Sequence, residues 1–69
     1  MKKFAISWIS FFDNILHIES VYAHTRYDAL RIAYVFLAGS EYNIELTNEK
    51  SIQEYAFDLD GMIEAREIE

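Results

Sequence analysis

Cysteine is absent from this chain of 69 residues. No disulfide can supplement its core, and a reducing cytoplasm is the natural home of such a composition. Glycine occurs only at Gly39 and Gly61, which excludes a glycine-rich phosphate loop. Basic residues are scarce: six Lys and Arg stand against twelve Asp and Glu, for a net charge of −6. Direct binding to nucleic acid or to an anionic membrane is therefore not expected, because phosphate contacts need the opposite sign. No apolar run approaches the roughly twenty residues of a membrane span. His17 and His24 are the only histidines, and their positions mid-strand and at a chain corner lack the spacing of metal ligands. No linker, repeat or low-complexity tract divides the chain, so residues 1–69 read as one domain. Such a chain seldom gains more than ~3–5 kcal/mol from its core.

What is present in quantity is apolar surface. Hydrophobic residues make up 52% of the chain, with one Trp, five Tyr and five Phe among them. One helix on one sheet face cannot cover so much, and the surplus reads as an interface. Charge is divided unevenly. Residues 1–40 carry four basic and three acidic side chains, whereas residues 41–69 carry two and nine. An acidic half suits a basic protein surface; the plainer alternative is that it solvates an exposed sheet face.

The opening M-K-K-F-A-I-S-W-I-S-F-F imitates a signal peptide, but Ser7 and Ser10 interrupt it and Asp13-Asn14 follow at once. Lys3–Phe12 reads as a strand, Asp13-Asn14 as a tight turn, and 15–23 as the antiparallel partner. A two-residue turn groups Phe4, Ile6, Trp8, Phe12, Ile15, Val21 and Ala23 on one face. One more loop residue would instead bring Leu16, Ile18 and Tyr22 to that face. Either way Ile9 and Phe11 point away from the helix.

The stretch from Thr25 to Gly39 is predicted to be the one long helix, with Thr25 as its cap, Asp28 in its first turn and Gly39 as its terminator. From Ala29 to Ala38 every residue but Arg31 is apolar, which predicts deep burial. Tyr42, Ile44 and Leu46 alternate with polar residues as a half-buried strand, and 47–51 reads as a loop. Ile52–Leu59 and Met62–Ile68 flank Asp60-Gly61, a strong hairpin signal, although E-A-R-E (64–67) also suits a helix. The expected fold is α+β: a single small domain with a β-hairpin, one long buried helix and two to three further antiparallel strands (ββαβββ).

No constellation carries chemistry. The carboxylate pairs Asp58/Asp60 and Glu64/Glu67 lie in the most polar part of the chain, where nothing raises a pKa, and no serine has an elbow or a base. Neither catalytic activity, a metal nor a cofactor is expected. Candidate partner-binding residues fall into three sets. Ile9 and Phe11 are surplus apolar residues of the hairpin. Glu45, Glu54, Asp58, Glu64 and Glu67 alternate with apolar positions and are expected to share one wet, negative face. Tyr27 and Arg31 lie on the polar flank of the helix, and are residue types that dominate interfaces when buried.

Tyr22, Ala23, Thr25, Asp28, Ala29, Leu30 and Ala33 together form a strand-to-helix junction. It resembles that of small phage-encoded host-takeover proteins with a ββα core, among them the RNA-polymerase inhibitor of lytic coliphages. No contact residue is carried over, since Glu41 and Glu45 stand where that inhibitor has a basic strand. The resemblance implies a phage protein that docks on a host protein in the bacterial cytoplasm. The expected function is thus an acidic protein-binding inhibitor whose partner has a basic or mixed surface. A DNA mimic and a self-assembling accessory protein, with a homodimer as its simplest form, are the alternatives.

Overall fold

The computed structural model describes residues 1–39 and 51–68. Strand β1 (Lys2–Ser10) is the centre of a three-stranded antiparallel sheet, with β2 (Leu16–Ala23) on one side and β3 (Gly61–Ile68) on the other. Helices α1 (Arg26–Ala38) and α2 (Ile52–Asp58) complete a small α+β domain in the order β1-β2-α1-α2-β3.

Side-chain alternation divides the sheet into two unlike faces. Phe4, Ile6 and Trp8 of β1 stand opposite Val21, Glu19 and His17 of β2, and opposite Glu67, Ala65 and Ile63 of β3. On this face Phe4, Ile6, Ala23, Ile63 and Ala65 are buried beneath α1, which brings Ala29, Leu30, Ala33 and Tyr34. Alanines one turn apart let the helix approach closely, while Ile6 and Tyr34 fill the space between. Burying Ile6 alone contributes roughly 1.5–3 kcal/mol.

The hairpin is looser than a two-residue turn. Pairing ends at Ile9 and Leu16, and the loop between the strands is held by Asn14 N–H donating to the Ser10 carbonyl at 2.8 Å and Ile15 N–H donating to the Asp13 carboxylate at 3.0 Å. Asn14 takes the left-handed conformation expected of it, with φ 57°. A tight turn would set Ile9 opposite Ile18; the longer loop sets it opposite Leu16, a slip of two residues that keeps the paired side chains on the faces a two-residue turn implies. It leaves Phe11, Phe12 and Ile15 in the exposed loop, on neither face.

Helix α1 starts as the sequence indicates. Thr25 Oγ1 accepts the Asp28 N–H at 3.2 Å, and Gly39 ends the helix with φ 80° and its N–H on the Val35 carbonyl. Tyr27 and Arg31 are exposed, as their place on the polar flank implies, but Val35 and Phe36 are exposed as well, contrary to the deep burial expected, because only one layer of sheet lies beneath the helix.

The expected strand Ile52–Leu59 is instead helix α2 over Ile52–Asp58. Its signal is a capping box, Ser51-x-x-Glu54, in which Ser51 Oγ accepts the Glu54 N–H at 3.2 Å, followed by Ile52, Tyr55 and Ala56 at helical spacing. Asp60-Gly61 is accordingly a helix-to-strand turn and not a hairpin. Asp60 adopts φ 55°, and β3 pairs with distant β1. Met62–Ile68 is a strand, as expected, and not the helix that E-A-R-E permits. The strand expected over Tyr42–Leu46, and Glu45 with it, lies outside the described residues.

Candidate docking surface

The face of the sheet turned away from α1 is uncovered among the described residues. It comprises Leu16, Ile18, Ser20 and Tyr22 of β2, Lys3, Ala5, Ser7 and Ile9 of β1, and Met62, Glu64, Arg66 and Ile68 of β3. Four large apolar side chains stand open there: Ile18 at 67% exposure, Tyr22 at 65%, Leu16 at 58% and Met62 at 48%. Ile9, Leu16, Met62 and Ser7 line one shallow depression with Glu64 at its side. Scattered exposed apolar residues are ordinary, but a contiguous group on a flat face is what protein interaction sites present.

The candidate residues from sequence do not form one site. Ile9 lies on the open face, half-buried among its neighbours. Phe11 does not, because β1 has ended before it: its N–H donates to the Asp60 carbonyl at 2.8 Å and its ring lies 6.2 Å from that of Phe57 on α2. Tyr27 and Arg31 are exposed on α1, the helix that packs on the other face of the sheet. Glu54 and Asp58 belong to α2, and Glu64 and Glu67 to opposite faces of β3, so these four carboxylates share no common face. Glu45 lies outside the described residues.

Glu64 has a structural task. Its carboxylate accepts the Ala65 N–H at 2.9 Å and pairs with Arg26, whose Nε donates to the Ala65 carbonyl at 3.1 Å. The backbone N–H of Ala65, and then the Arg26 guanidinium, hold the Glu64 carboxyl below its ordinary value of 4.5. Gln53 of α2 donates to the Ile63 carbonyl at 3.1 Å. These three side chains close the outer edge of β3, whose backbone groups would otherwise be open to another strand. Glu67 approaches Lys2 at 3.8 Å with both side chains more than half exposed, a pair of little energetic weight.

Trp8 lies on the helix face, half-buried, in a stack: Phe36 on one contact at 4.5 Å between centroids and His17 on another at 5.2 Å, both nearly parallel. This gives His17 a packing role. Among the described residues no group of three His, Cys, Asp or Glu is placed to hold a metal, and no helix is long and apolar enough to cross a membrane.

Leu16, Ile18, Tyr22 and Met62 are the residues that sequence reasoning did not select. Alternation puts the first three on one face together, but which face depends on the hairpin register, which the pairing of Ile9 with Leu16 decides, and whether a second layer covers that face is a matter of topology. Met62 joins them only because β3 docks beside β1.

Among the described residues, helices on one side of a sheet and an apolar, open face on the other make a small α+β domain. No protein-family model matches the chain, and neither curated proteins nor solved structures provide a match.

Proposed function

We propose that this chain is a protein-docking module, acting as a phage-encoded inhibitor that binds a host protein in the bacterial cytoplasm. The observation that carries the reading is the open sheet face, where Leu16, Ile18, Tyr22 and Met62 are largely exposed around half-buried Ile9. Desolvating apolar area of this kind drives association, at about 25 cal/mol per Å² before the costs of binding are subtracted. The partner's surface is basic or mixed, since the chain carries −6 overall while the face itself carries Lys3 and Arg66 as well as Glu64. The phage origin rests on the junction residues Tyr22, Ala23, Thr25, Asp28, Ala29, Leu30 and Ala33. Of these, Ala23, Ala29, Leu30 and Ala33 pack in the core and Thr25 caps the helix.

The test is capture from a bacterial lysate with the wild-type chain and with the double variant Tyr22→Lys, Met62→Lys, followed by an assay of the captured protein's own activity. One host protein retained by the wild type, released by the variant and inhibited by the purified chain is the expected result. Equal retention by both proteins, or binding without any effect on the captured activity, would overturn it.

A further inference from the structure

We infer that strand β2 is a pairing edge for a second copy of this chain, joining two three-stranded sheets into one six-stranded sheet about a two-fold axis at Ser20. The two edges of the sheet are treated differently. The outer edge of β3 is closed by Arg26, Glu64 and Gln53, and α2 packs beside it. Along β2 no described residue does the same, and α1 lies mainly over β1 and β3, leaving β2 exposed from Leu16 to Ser20.

The direction of the backbone groups follows from the contacts already given. Ile63 and Ala65 turn their polar groups outward, and Phe11 N–H reaches Asp60, so the odd-numbered residues of β1 bond to β3. Alternation then directs the even-numbered residues of β1 to the odd-numbered residues of β2. Ile18, Ser20 and Tyr22 are left with N–H and C=O pointing away from the sheet.

The strand is complementary to itself. With the axis at Ser20, Ile18 faces Tyr22 of the second copy, Ser20 faces its own counterpart, and Glu19 and His17 face Val21 and Ala23. Three outward-facing pairs exchange roughly six main-chain hydrogen bonds, and aromatic against β-branched is a favoured cross-strand pair. An axis one residue earlier would set Glu19 against itself, and one residue later would shorten the overlap. Glu19 is the only acidic residue of β2. Pairing about this axis keeps all helices on one side and makes the open faces continuous, but it does not depend on a host partner.

The experiment uses purified full-length chain. Sedimentation equilibrium at micromolar concentration is expected to give twice the monomer mass, and Ile18→Lys, which places a charge on the edge, is expected to weaken the dimer by about tenfold or more while the dissociated chain keeps its folded circular-dichroism spectrum. Ser20→Cys places a thiol on the axis, where the two Cα atoms would lie about 5.5 Å apart, within the range a disulfide spans. Mild oxidation is expected to convert Ser20→Cys to a covalent dimer, and to leave Ser7→Cys, on the same face but away from the axis, as monomer. A wild-type chain that is monomeric at every concentration would overturn the inference. So would a dimer indifferent to Ile18→Lys in which both cysteine variants cross-link equally.

Discussion

At the residue scale, Glu64 and Arg26 are expected to have effects that their exposure alone would not indicate, and Gly61 is held by the space around it. Glu64 is an exposed carboxylate, yet its folded-state pKa is lowered by the Ala65 N–H and by Arg26. A lowered carboxyl contributes stability that is present above its unfolded value and is lost as pH falls through the folded one. Melting of the wild type should therefore fall more steeply than that of Glu64→Gln as pH drops below about 4.5, the two curves converging in acid. Thermal scans from neutral pH downward check this; parallel curves would contradict it. Arg26→Ala should cost about 1 kcal/mol, since it frees the Ala65 carbonyl and the Glu64 carboxylate together but leaves both reachable by water. Gly61 is fixed by space: a Cβ there would lie 2.7 Å from the Ile9 carbonyl oxygen and 2.7 Å from Leu37 Cδ1. Leucine can rotate away, but the backbone oxygen belongs to the central strand. Gly61→Ala should destabilise by about 1–3 kcal/mol in urea unfolding.

At the scale of the element, α1 and the hairpin were legible because their signals are local. Thr25, Asp28 and Gly39 bracket α1 within one stretch of chain, and alternation in β1 and β2 survives a slip of two residues at the turn. Helix α2 was hidden by its composition. Ile52, Tyr55 and Phe57 are strand-favouring residues, and they outweighed the capping box that Ser51 and Glu54 write just before them. The pairing of β3 with β1 was not legible at all, since it joins residues more than fifty positions apart and is decided by which hydrophobic face closes over Ile6 and Ala65. The open face follows from that pairing, so the docking residues of β3 were beyond reach even though those of β2 were in view. Because a seven-residue helix has little stability of its own, Ser51→Ala should cost about 1 kcal/mol. Hydrogen exchange should rise in α2 and at the β3 edge before it rises in β1. Uniform acceleration across the sheet would show that α2 folds only with the whole domain. Ala33→Asp is the corresponding change in α1. It sets a carboxylate at a fully buried contact, at a cost of several kcal/mol, and should leave the chain unfolded by circular dichroism.

For the whole molecule, the central claim is that the uncovered sheet face, and not the acid-rich helix α2, is the working surface. The carboxylates Glu54 and Asp58 sit on α2, while Glu64 is occupied in closing an edge. Long-range charge should then steer encounter and fade with salt, whereas the apolar face should set how long the complex lasts. Calorimetric titration of the captured host protein is the most direct test, comparing the wild-type chain with Met62→Lys and with the double variant Glu54→Lys, Asp58→Lys. Met62→Lys is predicted to weaken binding by about tenfold or more with an unchanged melting temperature, and the α2 variant by less than about threefold at physiological salt. Undiminished affinity in Met62→Lys, with binding lost in the α2 variant, would contradict the account.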